Sequence, residues 1–225
     1  MGKLAATIAH EINNPLAVVL TYIRLMIKLI DRNHFSPKRL EDISRYLATM
    51  DSETSKCGEV VKSLLAFSRQ STITIESNNI EEIIDRTLIL ITHDLEMKGI
   101  RLNKMIEPNL PKVKCDFKQI QQALLNLMHN GSDAMQDGDI LTVKANRKDG
   151  DERFLDVIIS DIGCGITEED KEKIFDPFFT TKEEGKGVGL GLSVVYGIIT
   201  RHNGTIEVES EPGKGSTFTI SIPFD

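Results

Sequence analysis

The segment from residue 40 to residue 64 restricts the fold more than any other part of the sequence, because its pattern repeats with alternating spacings of three and four. The repeating positions are Leu40, Ile43, Leu47, Met50, Thr54, Cys57, Val61 and Leu64. A heptad pattern of this length predicts an α-helix with one mainly apolar seam that must pack against other helices. A helix is also predicted over residues 1–31, with turn residues joining the two. Ser36 is a suitable N-cap and Pro37 a suitable first residue for the second helix.

Such a hairpin of two helices cannot enclose a hydrophobic core by itself. The economical solution is the pairing of two chains, which gives a four-helix bundle with coiled-coil-like packing. The alternative is that the hairpin packs on the second domain of its own chain. We therefore expect a homodimer in which the hairpin is the dimerisation element.

Three polar residues near the start of the first helix lie away from its apolar side. At about 100° per residue, the apolar residues of this helix fall within a stripe roughly 80° wide. They are Ile8, Ile12, Leu16, Val19, Ile23, Met26 and Ile30. His10 lies on the far side, Asn14 lies about 40° further round, and Glu11 borders both. This grouping favours a chemical role, although an isolated histidine there is more often an ordinary surface residue.

Composition narrows the classes of function. The 225 residues are 40% hydrophobic and 27% charged, which is ordinary for a soluble globular protein. The net charge of -7 argues against general binding of nucleic acids or anionic membranes, since such surfaces carry a basic excess. The three cysteines lack disulfide or metal-ligand spacing, which fits a reducing cytoplasm. Arg24 and Lys28 interrupt the run from Leu16 to Ile30, so we expect it to be too short to span a membrane and expect no membrane contact.

The pattern changes near residue 71, where we place the boundary between two domains, residues 1–70 and 71–225. A short strand is predicted at 72–76. Beyond it, the sequence predicts helices at about 79–98, 116–135 and 190–201, and strands at 100–106, 140–146, 154–160, 206–209 and 216–223. This mixture predicts an α+β sandwich in which helices cover one face of a sheet.

Two stretches that contain several glycines indicate a ligand with phosphate groups. They are DIGCGI at 161–166 and GKGVGLGLS at 185–193. Glycine lets the backbone approach a ligand closely, and free N–H groups at the start of a helix attract anions. Each stretch alone is a weak signal, because neither follows the P-loop or Rossmann spacing. Their combination with NLMHN at 126–130 and DPFFTTK at 176–182 favours a nucleotide site.

Taken together, these segments resemble the cytoplasmic core of two-component sensor histidine kinases over nearly the whole chain. The matching boxes occur in the order of that family: HEINNP, NLMHNGSDA, DIGCGI, DPFFTTK and GKGVGLGLS. The resemblance implies a dimerisation and phosphoacceptor domain at 1–70 and an ATP-binding domain of the Bergerat fold at 71–225. It also implies ATP and Mg²⁺ as cofactors. Gly131 departs from the pattern, since the family more often has alanine there.

The resemblance assigns roles to residues of the second domain. Asn130 would bind Mg²⁺ against the phosphates with support from Asn126, and Asp161 would accept a hydrogen bond from the adenine amino group. The other expected cofactor-binding residues are Gly163 and Gly165 beside the adenine, Gly187, Gly189 and Gly191 in the lid over the triphosphate, and Lys182 near phosphate. Structural alternatives remain open: Asn126 could satisfy backbone groups, Asp161 could cap a turn, and Lys182 could be solvated.

At the first box, the resemblance implies chemistry on the histidine itself. A neutral imidazole nitrogen of His10 can attack the γ-phosphorus of ATP. Glu11 would orient the ring and accept the proton that it sheds. The expected function is autophosphorylation of His10 and transfer of the phosphoryl group to an aspartate in the receiver domain of a response regulator. The amide of Asn14 could position water for dephosphorylation of that regulator, because HExxN resembles the motif version associated with phosphatase activity.

Two other functions are compatible with parts of this pattern. The first is an ATPase of the same fold, as in gyrase, MutL-type or heat-shock ATPases. Those enzymes usually carry a water-activating glutamate four positions before the magnesium asparagine, where this chain has Asn126, and an amide cannot accept that proton. The second is a nucleotide-gated dimeric scaffold without transfer activity, against which the intact HExxN and glycine stretches argue.

Overall fold

The computed structural model describes residues 2–31, 37–68, 73–148, 150–151, 153–182 and 189–224. In the two N-terminal helices it describes the side chains of residues 12–29, 40–55, 57–58 and 61. The chain divides into two compact units, one made of residues 1–70 with 180–190 and the other of residues 71–179 with 191–225. The predicted N-cap Ser36 lies outside the described residues.

The first unit contains the predicted helical hairpin. Its helices are α1 (Gly2–Asp31) and α2 (Pro37–Ser68). The rings of Tyr22 and Tyr46 lie 5.1 Å apart, and the thiol of Cys57 lies 3.9 Å from the carbonyl oxygen of Ile12. Because residues near the end of α1 contact residues near the start of α2, the two helices are antiparallel.

Helix α1 is apolar well beyond the side that α2 covers. The 18-residue stretch Ile12–Leu29 has a mean hydropathy of 1.2 and is 6% buried, so by length and composition alone it could cross a membrane. The expectation that this run is too short to span is therefore wrong. Length and composition do not separate a membrane span from a helix that pairs with other helices in water, and Arg24 and Lys28 lie within the stretch.

Local capping signals set the ends of the helices in the second unit. These helices are α3 (Ile80–Met97), α4 (Phe117–Ala134), α5 (Glu168–Lys171) and α6 (Gly191–Arg201). The side chain of Asn79 accepts a hydrogen bond from the backbone of Glu81 at 2.9 Å, and Asp116 likewise caps α4. Gly99 follows α3 with φ 66°, a conformation that favours glycine. These boundaries match the predicted ones, whereas α5 was not predicted because it is one turn with no buried residue.

Seven strands form two sheets among the residues of this unit that the structure describes. They are β1 (Glu76–Asn78), β2 (Arg101–Ile106), β3 (Val113–Cys115), β4 (Ile140–Arg147), β5 (Phe154–Asp161), β6 (Thr205–Glu211) and β7 (Gly215–Pro223). The larger sheet has the order β2-β4-β5-β7-β6, with β2 parallel to β4 and the other pairs antiparallel. The predicted strand at 72–76 is wrong for residues 73–75, which are not in a strand, whereas residue 72 lies outside the described residues. The strand lies at Glu76–Asn78, where these residues pair with β3.

Helices α3, α4 and α6 pack on one face of the larger sheet. Alternate residues of the central strands are buried there, among them Leu141, Val143, Leu155 and Val157. The intervening residues, such as Lys144, are more exposed. The predicted α+β sandwich with an N-terminal helical hairpin is therefore confirmed. Helix α4 contacts β5 and β7, and α6 contacts α4 and β6.

Candidate functional site

Asp161, the last residue of β5, holds a buried carboxylate beside the first glycine stretch. The residue is 7% exposed. Its Oδ1 atom accepts hydrogen bonds from the backbone N–H groups of Gly163 at 2.9 Å and Ser216 at 3.2 Å. No described residue donates a hydrogen bond to Oδ2. Asp161 thus caps the turn, as the structural alternative supposed, and still keeps an acceptor oxygen for a ligand.

The environment of Asp161 suits recognition of a hydrogen-bond donor. Burial raises the pKa of this carboxyl above the ordinary 3.8, and although the two backbone hydrogen bonds lower it, the charge of Asp139 adds to the increase. Asp161 also borders an open cavity of about 420 Å³, which among the described residues is lined by Lys171 and the β6–β7 hairpin. A desolvated carboxylate can gain a strong hydrogen bond from an N–H group of a ligand.

The first glycine stretch lies too close to neighbouring backbone to carry side chains at two positions. A Cβ atom on Gly163 would collide with the carbonyl oxygen of Ala134 at the end of α4. Gly165 has φ 69°, and a Cβ atom there would collide with the carbonyl oxygen of Glu211. Both predicted glycines are therefore needed to fit the loop between α4 and the β6–β7 hairpin.

Two asparagines of α4 face the first residue of α6. The side-chain amide of Asn126 donates a hydrogen bond to the carbonyl oxygen of Gly191 at 3.2 Å. In turn, Gln122 donates to the Asn126 Oδ1 atom at 2.7 Å, which fixes the orientation of the amide. The Asn130 amide nitrogen lies 3.8 Å from the place where a Cβ atom on Gly191 would stand. The N box and the second glycine stretch thus meet at the start of α6.

This meeting point combines polar side chains with the start of a helix. The first N–H groups of α6 lack helical partners, so they and the helix dipole attract negative charge. At the same time α4 crosses over Asp161, because a Cβ atom on Gly131 would lie 3.4 Å from the Asp161 Cβ atom. The structure therefore brings Asn126, Asn130, Asp161 and Gly191 around one region of the second unit.

The β6–β7 hairpin contributes to this region, which sequence reasoning missed. Gly215 has φ 92°, and a Cβ atom there would collide with the Asp161 carbonyl oxygen. The backbone N–H of Gly213 donates to the Cys164 carbonyl oxygen at 2.8 Å, and Ser216 bonds to Asp161. In the sequence, EPGKG at 211–215 indicates a turn between two strands. Its two glycines just before a strand are the signal that marks a third stretch of close backbone approach.

Several predicted site residues belong to parts that the structure describes less fully. His10 and Glu11 lie within helix α1, and their side chains are outside the described residues. Asn14 is exposed, as its predicted place on the solvent face requires. Gly187 also lies outside the described residues, whereas Gly189 has φ 67°.

The described residues indicate how a cation could be bound at this site. They contain no group of three or more His, Cys, Asp or Glu residues that could hold a metal ion. The side-chain amide of Asn130 contains an oxygen of the kind that Mg²⁺ accepts as a ligand beside phosphate oxygens and water. Lys182 precedes residues outside the description, and its backbone N–H donates to the Thr180 hydroxyl at 3.2 Å.

Two family models match separate parts of the chain. Residues 1–73 match the "His Kinase A (phospho-acceptor) domain". Residues 115–225 match the "Histidine kinase-, DNA gyrase B-, and HSP90-like ATPase". The first match contains the HExxN motif, and the second contains both asparagines and both glycine stretches.

Known proteins resemble the chain over almost all of its length. The sensor histidine kinase ZraS of Klebsiella oxytoca is 36% identical over 99% of this chain and 46% of that protein. The sensor kinase CckA of Brucella abortus is 38% identical over 99% of this chain and 24% of that protein. The chain thus spans about a quarter to a half of the length of these curated relatives.

Solved structures resemble the fold as well. The catalytic domain of histidine kinase ThkA is 30% identical, covers 67% of this chain and 95% of that chain, and gives a TM-score of 0.60. ThkA in complex with the response regulator protein TrrA is 28% identical over 100% of this chain and 62% of that chain, with a TM-score of 0.80. Together with the two family models and the shared motifs, these similarities establish that the chain belongs to the sensor histidine kinases.

Proposed function

We propose that this chain binds ATP with Mg²⁺, phosphorylates its own His10 and passes the phosphoryl group to an aspartate of a response regulator in the cytoplasm. The observation that carries the proposal is the gathering of Asp161, Asn126, Asn130 and Gly191 around one region of the second unit. Family membership supports it, and so does the complex of the relative ThkA with a response regulator protein. We further propose that residues 1–70 and 71–225 separate the phosphoacceptor and nucleotide-binding roles.

The residues around Asp161 provide for recognition of the adenine end of ATP. An ionised carboxylate only accepts hydrogen bonds, so the free Oδ2 atom suits the adenine amino group. Gly163 and Gly165 let the adjacent loop pass close to the end of α4 and to the β6–β7 hairpin. At the other end, the start of α6 would attract the phosphates, and Gly187, Gly189 and Lys182 would belong to the lid.

Asn130 is the residue we expect to hold Mg²⁺, through its side-chain oxygen. Bound Mg²⁺ would neutralise part of the charge on the β- and γ-phosphates. Asn126 contributes by holding the first residue of α6 against the N box through its hydrogen bond to Gly191. Its amide, which is already a donor and has no basic site, cannot activate water as the glutamate of related ATPases does. This observation disfavours the alternative of an ATPase that hydrolyses ATP directly.

Transfer to His10 is a substitution at phosphorus. A ring nitrogen of His10 supplies an electron pair to the γ-phosphorus and forms an N–P bond, while the bond to the bridging oxygen breaks and ADP leaves with that electron pair. The proton of the ring is accepted by Glu11 or by water. Most of the catalytic effect then comes from positioning and from neutralising charge.

This function has a direct test. The purified chain, incubated with γ-labelled ATP and Mg²⁺, should acquire label that is lost in acid and retained in base, as a phosphohistidine requires. The labelled chain should then pass the label to a response regulator from its own genome. A chain that binds ATP but releases only labelled inorganic phosphate would contradict the proposal and favour the ATPase alternative.

The exposure of the hairpin supports pairing of two copies. Residues at one set of heptad positions are half-buried within the hairpin: Ile12, Val19, Met26, Ile43, Met50 and Cys57. The residues between them remain exposed: Leu16, Ile23, Leu40, Leu47 and Val61, at 39–56%. Each helix therefore has a second apolar row that α1 and α2 cannot cover for each other, as expected when two hairpins form a four-helix bundle.

We predict that the chain is a dimer, with a mass in solution about twice the 25.1 kDa of one chain. Leu47→Glu places a charge in the exposed row and should produce monomers, because an unpaired charge is costly to bury. Ser52→Glu adds the same charge at an exposed position at least about 120° round the helix from the row and should leave the dimer intact. Sedimentation or light scattering distinguishes these outcomes, and a monomeric parent chain at micromolar concentration would contradict the pairing.

We also propose a phosphatase role for Asn14, which is exposed one turn after His10. Its amide can hold a water molecule for attack on the phospho-aspartate of the regulator, although it cannot act as a base. Asn14→Ala should slow dephosphorylation of the regulator at least about tenfold, the effect of losing a positioned water, while transfer from His10 persists. The measurement is loss of label from the phosphorylated regulator with each protein. Equal rates for the parent chain and the variant would remove Asn14 from this role.

A further inference from the structure

Three residues lie in one row across the strands at the edge of the proposed adenine site. Asp161 of β5 pairs with Ser216 of β7, and Ser216 pairs with Ser210 of β6. Residues that pair directly across antiparallel strands place their side chains on the same face of the sheet. The row therefore connects the buried carboxylate of Asp161 to Ser210 on the outermost strand.

The hydroxyl of Ser210 uses its full hydrogen-bonding capacity. It donates to the Gly215 carbonyl oxygen at 2.8 Å and accepts from the backbone N–H of Ile166 at 2.8 Å. The third partner is the hydroxyl of Ser216 at 2.9 Å. Since a hydroxyl has one hydrogen and two lone pairs, donation to Gly215 requires that Ser216 be the donor in the third bond.

Two segments that shape the surroundings of Asp161 are thus held by one side chain. Ile166 is the last residue of the first glycine stretch, and Gly215 and Ser216 begin β7. The Ser216 N–H holds the Oδ1 atom of Asp161, and the Asp161 carbonyl lies against Gly215. A shift of the β6–β7 hairpin away from the glycine stretch would therefore turn the carboxylate.

We propose that Ser210 is a positioning residue for nucleobase recognition: it fixes the carboxylate of Asp161 through Ser216 and fixes the end of the glycine stretch through Ile166. The inference rests on the proposed function, since it requires that Asp161 receive the base of ATP. It adds a residue from the edge strand that acts through Ser216 and Ile166.

Loss of this positioning should affect adenine more than guanine. An acceptor-only carboxylate attracts the adenine amino group, whereas guanine has a carbonyl oxygen at that ring position and would be repelled. If Asp161 turns, ATP loses an attractive contact, while GTP loses a repulsive one. The discrimination between the two nucleotides should then fall, which a general loss of stability does not produce.

The experiment compares Ser210→Ala with Ser221→Ala in the full chain. Ser221 is a matched control because it is a buried serine of β7 whose hydroxyl contacts Lys148 at 3.0 Å and Asp156 at 2.6 Å, away from the glycine stretch. Dissociation constants of ATP and GTP are measured by calorimetry, and melting temperatures are measured without nucleotide. Ser210→Ala should weaken ATP binding roughly three- to tenfold and lower the preference for ATP over GTP. Ser221→Ala should lower the melting temperature without changing that preference.

The other outcomes count against the inference. Unchanged ATP affinity in Ser210→Ala would overturn it, and so would equal weakening of ATP and GTP. If Ser210→Ala does not fold, Ser210→Cys keeps a group of similar size with a weak donor and should reduce the preference in the same direction. A parent chain that binds no ATP would overturn the proposed function itself, and the inference with it.

Discussion

Replacement of His10 by glutamine should abolish incorporation of the acid-labile label from γ-labelled ATP. Glutamine is similar in length and polar, but its amide nitrogen has no free electron pair for attack on phosphorus. We expect the label to fall at least about a hundredfold, to background, because the substitution removes the nucleophile that the reaction requires in position. ATP affinity should be unchanged, because none of the residues assigned to the nucleotide lies in helix α1.

A matched control tests whether the effect belongs to this histidine. His93 is exposed on helix α3, so His93→Gln makes the same chemical change on another helix surface. This variant should retain full labelling. Persistent acid-labile label on the His10 variant would show that another residue is the acceptor and would end the present assignment.

Asp161→Asn should lose most of the affinity for ATP. The substitution keeps the size of the side chain but replaces one acceptor oxygen by an NH₂ group, which opposes the adenine amino group. Loss of a hydrogen bond to a charged group corresponds to about 1.5–3 kcal/mol, or roughly a 10- to 150-fold increase in the dissociation constant. Calorimetric titration with ATP in the presence of Mg²⁺ measures this change, and an unchanged affinity would rule out Asp161 as the adenine acceptor.

The folded state should tolerate this substitution. Because burial raises the pKa of Asp161, the folded protein holds this proton more tightly than the unfolded chain does. Stability therefore falls as the pH rises from the unfolded pKa through the higher folded pKa, and the ionised carboxylate destabilises the fold above that range. Without nucleotide, Asp161→Asn should melt at the same temperature as the parent chain or higher at neutral pH. A much lower melting temperature would mean that misfolding, rather than lost recognition, explains weak binding.

The same pKa direction gives binding a pH dependence. Protonation of Asp161 removes the negative charge that attracts the adenine amino group, so ATP affinity should fall as the pH is lowered through a value above 3.8. This contribution should be missing in Asp161→Asn. Comparing the two proteins across acidic pH separates the titration of Asp161 from the titration of ATP itself.

Local patterns were enough to predict most of the helices. Asn79 and Asp116 cap helices at the predicted places, because a cap depends on a side chain and the backbone two or three residues away. The heptad spacing of α2 is also a local pattern, since its positions repeat every three or four residues, and it predicted a helix that packs on another helix. The expectation about membrane spanning by α1 was wrong, because the number of apolar residues in a helix does not specify what covers that helix.

The candidate site was predictable only in part. The motifs identified Asp161, Asn126, Asn130 and the glycines, because each lies in a short segment with a recognisable composition. The importance of Ser210 and Ser216 could not be predicted, because it comes from a hydrogen bond between Ser210 and Ile166, 44 positions earlier, and from the pairing of Ser216 with Asp161, 55 positions earlier. Serine in a strand has no local signature that reveals such a partner.

By itself, the sequence determined the helices, most of the strands and the type of chemistry, since these follow from periodicity, caps and short motifs along the chain. The tertiary structure alone decided that the first glycine stretch, the start of α6 and the β6–β7 hairpin lie around Asp161. It also set where β1 forms, because a three-residue strand exists only where β3 supplies its hydrogen-bond partners. The physical reason is that hydrogen bonds and packing between distant segments depend on the folded arrangement, which no short window of sequence contains.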